Sequence, residues 1–287
     1  MEIGIGLPNA VRGVEREGIV DWARRAEEAG FSSLGTIDRI VYPNFESLVT
    51  LAAAGAVTER IRLVTDILLA PLRSNTPLLA KQAASVDRLS RGRLVLGLAV
   101  GARPDDYELS GVDYERRGAI FDRQLEELKR LWGADVDDHS ALMGPPPVTE
   151  GGPPLLIGGG ADVAFRRAAR YGIGWTMGGG GPDAFAEGVG KAREAWRAAG
   201  RDGQPYTMAL FYFALGGDAA EKARRGVGDY YEFLGEYRDR VVESTATSED
   251  MVKQYLRAFE DAGADEVICF PSSADLDDVE RLADAAL

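Results

Sequence analysis

Short apolar runs alternate with amphipathic segments along the chain. Ile19, Trp22, Ala23 and Ala26 are spaced three, four and seven positions apart, which places them on one face of a predicted helix. Gly30 follows this segment at the position where helices commonly end in a left-handed residue, and an apolar run comes next. The same order of helix, glycine and strand recurs later in the sequence, so the pattern predicts a series of αβ units.

Eight apolar runs are predicted to be strands, and a helical pattern follows each of them. Most are continuously apolar, as is typical of parallel strands that are buried on both faces. They are residues 2–7, 33–37, 62–69, 94–98, 154–157, 174–177, 207–213 and 266–270. Eight such units predict an α/β fold, a single (β/α)₈ TIM barrel over residues 1–287, with an open doubly wound sheet as the alternative.

Composition and charge narrow the class of protein. With 45% hydrophobic and 28% charged residues, the chain has an ordinary soluble composition. No apolar run approaches the roughly 18 residues of a membrane span, and no basic residue precedes Arg12, as a signal peptide would require. We therefore expect a cytoplasmic protein. The net charge of −13 disfavours nucleic acid and anionic membranes as partners.

The scarcity of histidine and cysteine excludes several kinds of catalytic site. Cys269 is the only cysteine, so an intrachain disulfide cannot form. The only histidine, His139, lies in residues 134–152, which are predicted to be a loop because of their prolines and glycines. A zinc site usually needs several such ligands, and a hydrolase triad would depend on His139. We expect no metal site.

Two glycine clusters follow predicted strands, at the end of a barrel where active sites lie. Gly158, Gly159 and Gly160 precede a helix whose first N–H groups favour an anion, and glycine lets a phosphate approach the backbone closely. The alternative is a tight turn in which Asp162 caps the helix. The second cluster, residues 178–181, is interpreted either as a rim without side chains beside a ligand or as a flexible loop.

Polar residues at other strand ends are further candidates. Asp66 interrupts an apolar strand, which indicates an irregular backbone beside a ligand, or else a solvated position beyond the strand end. Asn9, Tyr42 and Tyr107 are predicted walls of a substrate pocket, with the alternatives that Asn9 only ends a strand and that the tyrosines are solvated. The charged helical run at residues 221–240 is expected to lie mostly on the surface.

The chain resembles the bacterial luciferase-like superfamily, which contains flavin-dependent monooxygenases and deazaflavin-dependent oxidoreductases. The resemblance covers nearly the whole chain, in order, and its strongest segments are RRAEEAGFSSLGTIDR, TERIRLVTDILLAPL, LLAKQAASVDRLSRGRLVLGLAVG and PPLLIGGGADVAFRRAARYGIGW. It implies a (β/α)₈ barrel with a reduced flavin or deazaflavin across its C-terminal mouth.

The resemblance also implies which residues bind the cofactor. A non-proline cis peptide or bulge behind the flavin ring is expected at Asp66 and Ile67. Further ring contacts fall on Val100 and Gly101. The phosphate-binding turn and the rim of the site are expected at Gly158, Gly159, Gly160, Ala161, Gly178 and Gly179.

One departure from the family pattern affects catalysis. Many relatives carry a catalytic histidine after the second strand, where this chain has the pair Asp38 and Arg39. Arg39 is not a general base at neutral pH because its guanidinium group stays protonated. We expect Asp38 and Arg39 to be the catalytic pair, with Arg39 stabilising a developing anion or orienting an anionic substrate.

The resemblance implies a monooxygenase that uses reduced FMN and O₂ on a small organic substrate. The flavin carries the difficult chemistry, so few acid–base residues are needed. The FMN is expected to come from a separate flavin reductase, because the chain has no G-x-G-x-x-G nicotinamide fingerprint. The alternatives are hydride transfer with coenzyme F420, a deazaflavin, and non-catalytic flavin binding on the same fold. Relatives commonly dimerise through outer helices, so a homodimer is expected.

Overall fold

A computed structural model describes residues 1–133 and 144–287. The strands are β1 Glu2–Gly6, β2 Ser33–Thr36, β3 Arg62–Thr65, β4 Leu68–Leu69, β5 Leu94–Ala99, β6 Leu155–Gly158, β7 Gly174–Met177, β8 Tyr206–Phe213 and β9 Glu266–Pro271. The α-helices are α1 Arg16–Ala29, α2 Ser47–Gly55, α3 Thr76–Leu89, α4 Pro104–Leu109, α5 Arg117–Trp132, α6 Asp162–Tyr171, α7 Pro182–Ala198, α8 Ala219–Tyr230, α9 Tyr237–Glu243, α10 Glu249–Asp261 and α11 Asp277–Ala286.

The strands form a closed parallel barrel. The sheet order is β3-β2-β1-β9-β8-β7-β6-β5-β4, and an additional pairing of β3 with β5 closes it. β3 and β4 are two parts of one barrel strand, since β5 pairs with both. The single (β/α)₈ barrel predicted from the sequence is therefore confirmed, and the open sheet is wrong. The predicted strand at residues 62–69 is present, but it is interrupted at Asp66 and Ile67.

Apolar side chains fill the barrel and the layer between strands and helices. Inside the barrel, Val64, Leu156, Met208, Ile268 and Phe270 form a buried cluster. A larger cluster joins the outer strand faces to the helices, and the predicted face of α1 is buried in it. Each strand contacts both layers, so its residues must be apolar on both faces.

A polar network occupies the N-terminal end of the barrel. The Glu266 carboxylate is buried, and it accepts hydrogen bonds from the hydroxyls of Ser32 (2.6 Å), Ser33 (2.7 Å) and Tyr206 (2.9 Å). The Arg62 guanidinium lies 3.0 Å from the same carboxylate. These residues stand at the beginnings of β2, β3, β8 and β9, so the network fills the end opposite the C-terminal mouth.

Some sequence expectations concern residues outside the described part. His139 and residues 134–143 of the predicted loop lie there. Across residues 1–133 and 144–287, no helix is long and apolar enough to cross a membrane. Within those same ranges, no three histidine, cysteine, aspartate or glutamate side chains cluster as metal ligands do, and the expectation of a metal-free protein stays a prediction.

Candidate active site

A cleft with two adjoining compartments opens at the C-terminal ends of the strands. The first, about 340 Å³, is bounded by Asp66, Ile67, Gly101 and Arg103 among others, and we call it the Asp66 compartment. The second, about 430 Å³, is bounded by residues 178–181 and by aromatic side chains, and we call it the glycine-rim compartment. The two share Gly178, Leu210, Tyr212, Tyr231 and Leu234. They are therefore parts of one cleft.

Asp66 is a buried carboxyl group at the floor of this cleft. Its Oδ1 atom accepts a hydrogen bond from the Thr176 hydroxyl at 2.9 Å, whereas its buried Oδ2 atom has no partner among the described residues. Burial raises the pKa of Asp66 to about 7; the Thr176 hydrogen bond opposes this rise and the charge of Glu266 adds to it. The peptide bond from Asp66 to Ile67 is cis, as the family resemblance implied. The alternative of a solvated Asp66 is wrong, because the residue is only 2% exposed.

Glycines beside Asp66 leave room for packing at one position and for a ligand at another. A Cβ atom on Gly158 would lie 2.4 Å from Cδ1 of Ile67, so this glycine allows β6 to pack against Ile67. A Cβ on Gly178 would meet no atom within 4 Å, and Gly178 lines both compartments. Gly101, at a φ of +72°, also lines the Asp66 compartment. The cleft therefore meets backbone without a side chain at Gly101 and Gly178.

The turn between β6 and α6 retains the features expected of an anion site. Gly159 has a φ of +124°, and its carbonyl accepts a hydrogen bond from Nε1 of Trp175 at 2.9 Å. Gly160 and Ala161 are exposed, and no side chain caps α6. The alternative in which Asp162 caps the helix is therefore not observed. The role of this turn in phosphate binding stays a prediction.

The predicted catalytic pair is engaged in ion pairs within the protein. The Asp38 carboxylate accepts hydrogen bonds from the Arg73 guanidinium at 2.6 and 2.9 Å and from the Leu69 N–H at 2.9 Å. The Arg39 guanidinium donates to Asp105 at 2.7 Å and to Asp106 at 3.4 Å. Asp38 also lines the Asp66 compartment. These contacts give both residues a structural role, and their catalytic roles stay predictions.

Two of the three predicted pocket residues, Asn9 and Tyr107, have hydrogen-bond partners within the protein, whereas the buried Tyr42 hydroxyl has none among the described residues. The Asn9 amide donates to the carbonyls of Ile37 (2.8 Å) and Phe45 (3.2 Å), so it ties β1 to the segment after β2. The Tyr107 hydroxyl donates to the carbonyl of Val100, which links the two positions. Tyr107 is buried, so the alternative of a solvated side chain is wrong for it. Their contact with a substrate stays a prediction.

The structure adds aromatic residues that sequence reasoning had assigned to the surface. Tyr230 is 7% exposed and packs edge-on against Tyr42 at 5.2 Å, although it lies in the charged run at residues 221–240. Tyr231 lines both compartments, and its hydroxyl lies 2.9 Å from that of Tyr212. The surface expectation is therefore wrong for this part of the run. The sequence feature that could have indicated a buried wall is the aromatic stretch DYYEFLGEY within an otherwise charged segment.

Known proteins resemble this chain in sequence over parts of their length. An uncharacterized protein of Mycobacterium tuberculosis is 34% identical over 207 residues, which are 62% of this chain and 71% of that protein. The F420-dependent glucose-6-phosphate dehydrogenase of Nocardia farcinica is 31% identical over 173 residues, which are 55% of this chain and 52% of the dehydrogenase.

Solved structures share the fold over the whole chain. The monooxygenase RslO1 from Streptomyces bottropensis superposes with a TM-score of 0.81 at 22% identity, covering 100% of this chain and 98% of that one. An F420-dependent secondary alcohol dehydrogenase, solved with an F420-acetone adduct, gives a TM-score of 0.82 at 18% identity, with 99% and 97% coverage. The luciferase-like monooxygenase family matches residues 1–268. This chain therefore belongs to the luciferase-like monooxygenase family, whose members are flavin- or F420-dependent oxidoreductases.

Proposed function

We propose that this protein is an oxidoreductase that uses the deazaflavin coenzyme F420 to transfer a hydride to or from a small organic substrate. The observation that carries the proposal is the buried, unpartnered Oδ2 atom of Asp66 at the floor of a cleft walled by glycines. A buried polar atom without a partner is costly unless a ligand satisfies it. The polar edge of a flavin-type ring supplies such a partner.

The residues present fit a flat tricyclic cofactor. The carboxyl group of Asp66, with a pKa near 7, can either accept a hydrogen bond from a ring N–H or donate one to a ring carbonyl. Gly178 lets a ring approach the end of β7 without meeting a side chain, whereas Gly101 lines the compartment and packs against Leu69. The turn at Gly159 and Gly160 would hold the phosphate. When bound, the deazaflavin supplies the hydride chemistry, so few acid–base residues are needed from the protein.

Tyr212 and Tyr231 form a pair of hydroxyl groups that is suited to hydrogen-bond an oxygen atom of the substrate. Their hydroxyls lie 2.9 Å apart where the two compartments meet. Burial raises the pKa of both phenols, so both keep their protons at neutral pH. A neutral phenol in this place donates a hydrogen bond to a substrate oxygen, and its own oxygen accepts a hydrogen bond from the hydroxyl of its partner.

The identity of the coenzyme is supported by sequence similarity. The Nocardia dehydrogenase, 31% identical over 173 residues, is named as F420-dependent. An FMN-dependent monooxygenase is the second candidate. The walls of the glycine-rim compartment favour it, because Phe211, Leu234 and Phe259 are apolar and would bind the apolar part of a small organic substrate.

Direct titration separates the two candidates. We expect purified protein to quench the fluorescence of F420 with a dissociation constant at least tenfold below that for FMN. Replacing Asp66 by Ala should weaken F420 binding, whereas Asp122→Ala, a half-exposed carboxylate of α5 paired with Arg167, should not. Tight FMN binding, with O₂ consumed by the reduced complex, would establish the monooxygenase instead. Binding of neither coenzyme would reject both candidates.

A further inference from the structure

Arg103 is a buried cation without a polar partner. Its residue exposure is 9%, it lines the Asp66 compartment, and its Nη1 atom is buried without a hydrogen-bond acceptor. Across residues 1–133 and 144–287, its guanidinium forms no hydrogen bond or ion pair. Buried polar groups in folded proteins are normally satisfied, and buried charges are normally paired. The guanidinium of Arg103 is therefore available to bind an anion that enters the cleft.

Other buried or half-buried arginines among the described residues have carboxylate partners. Arg39 pairs with Asp105 and Asp106, Arg73 pairs with Asp38, and Arg167 pairs with Asp122. The chain carries 46 acidic against 33 basic residues. Asp105 and Asp106 lie two and three residues from Arg103, yet both contact Arg39 instead. The lack of a partner at Arg103 is thus specific to that position.

Aromatic rings hold the Arg103 guanidinium in place. Its central carbon lies 3.8 Å from the centroid of the Phe233 ring, 4.5 Å from that of Tyr230 and 5.6 Å from that of Tyr231. Cation–π contacts of this kind offset part of the cost of burying a charge. They supply no oxygen acceptor for the guanidinium N–H groups, whose fork geometry matches two oxygens of one carboxylate or phosphate.

The position of Arg103 separates it from the predicted phosphate turn of the cofactor. Gly159 and Gly160 do not line the Asp66 compartment, whereas Arg103 and Asp66 do. An anion bound at Arg103 therefore lies in the Asp66 compartment, which the turn does not line. Arg39, the residue expected from sequence to orient an anionic substrate, already has two carboxylate partners.

We propose that Arg103 binds the anionic group of the substrate, so that the substrate is a small organic acid or phosphate ester. This inference rests on the proposed function in so far as it takes the Asp66 compartment to be the place of reaction. Arg103 is then a binding residue that selects anionic over neutral substrates. The aromatic residues Tyr230 and Phe233 fix the orientation of its guanidinium.

The test compares benzoate with its neutral isostere benzamide. Dissociation constants are measured by calorimetry in cofactor-free protein and again with F420 added. We expect the wild type to bind benzoate at least tenfold more tightly than benzamide. Arg103→Met should abolish this preference, and Arg103→Lys should retain part of it because the charge remains without the fork. Arg103→Gln serves the same comparison if the Met variant does not fold.

Arg117→Met is the matched control. Arg117 also stacks on a tyrosine, with its central carbon 3.7 Å from the Tyr114 centroid, but it does not line either compartment. This variant should keep the benzoate preference. Equal affinity of the wild type for benzoate and benzamide would overturn the proposal, and so would an equal loss in the two methionine variants.

A second set of titrations, with the cofactor, shows whether the anion at Arg103 belongs to the substrate or to the cofactor. F420 and its phosphate-free deazaflavin core are titrated into the wild type and Arg103→Met. We expect the substitution to leave the ratio of the two affinities unchanged. A selective loss of F420 affinity would assign Arg103 to the cofactor phosphate and overturn the substrate proposal. If the wild type binds no F420, the proposed function fails, while the benzoate comparison in cofactor-free protein still decides the role of Arg103.

Discussion

Asp38 and Asp66 are both buried carboxyl groups at strand ends, and their partners set them apart. Asp38 faces the Arg73 guanidinium at 2.6 Å, so its negative charge is compensated within the protein. Asp66 accepts a hydrogen bond from the Thr176 hydroxyl, and among the described residues its buried Oδ2 atom has no partner. The same residue type therefore holds a loop in one place and, in our proposal, binds the cofactor in the other.

The raised pKa of Asp66 predicts a specific pH dependence of stability. Its folded pKa is about 7, above the ordinary value of 3.8, so the folded state holds the proton more tightly than the unfolded state. The stabilisation of the folded state by the proton on Asp66 is complete below about pH 4 and is lost as the pH rises through 7. Relative to Asp66→Asn, the wild type should lose on the order of 4 kcal/mol of unfolding free energy across this window.

Urea unfolding of both proteins between pH 4 and 8 measures this difference. Thr176→Val is the informative companion, because removing the hydroxyl that opposes the rise in pKa should extend the loss to higher pH. Parallel stability curves for the wild type and Asp66→Asn would contradict the assignment of a pKa near 7.

At the scale of elements, two segments shape the mouth of the barrel. The turn from β6 into α6 presents exposed glycines and an uncapped helix. The segment from the end of α8 to the start of α9 carries Tyr230, Tyr231 and Phe233 over the strand ends, where they meet Arg103. The first segment was identified from sequence by its glycines and position. The charged residues around the second segment predict an exposed surface, so its aromatic residues were not expected to line the cleft.

Substituting Gly159 tests the turn. Gly159→Ala places a Cβ atom 3.2 Å from that of Ala164 at a φ of +124°, which favours glycine. We expect F420 affinity to fall about tenfold, or about 1.4 kcal/mol, while the barrel stays folded. Gly203→Ala is the control, since Gly203 also has a positive φ, of +71°, but lies before β8 at the opposite end of the barrel. If a fluorescence titration shows that both variants bind F420 as tightly as the wild type, the turn has no role in binding the cofactor.

At the scale of the whole molecule, the closure of the barrel depends on close backbone contact. β3 and β5 pair just before the interruption of the third barrel strand, and Thr65 donates from its hydroxyl to the Gly97 carbonyl at 2.8 Å. A Cβ atom on Gly97 would lie 2.0 Å from the Thr65 carbonyl oxygen. A side chain at residue 97 is therefore incompatible with the observed spacing between β3 and β5.

Gly97→Ala should destabilise the barrel by about 3 kcal/mol, since backbone cannot move aside as a flexible side chain can. The measurement is the free energy of unfolding in urea. Gly190→Ala in exposed α7 is the matched change, because no atom lies within 4 Å of its added Cβ, and it should stabilise by about 0.5–1 kcal/mol. Equal stability of Gly97→Ala and the wild type would show that β3 and β5 separate at little cost.

The sequence by itself determined the strands, the helical faces and the order of αβ units, because these depend on residues a few positions apart. Seven predicted strands agree with β1, β2 and β5 to β9 within one residue at each end. It also located Asp66 and the glycine turns, since parallel strands in a closed barrel bring their carboxyl ends to one rim.

Only the tertiary structure decided which charges at that rim are satisfied. Asp38 and Arg73 are 35 positions apart in the chain, and Arg39 and Asp105 are 66 apart, yet each pair is in contact. Among the described residues, Arg103 is left without a carboxylate because its nearest acidic neighbours in sequence turn toward Arg39. Local patterns carry no record of such pairings, because burial and partner choice are set by distant segments that meet only when the barrel closes.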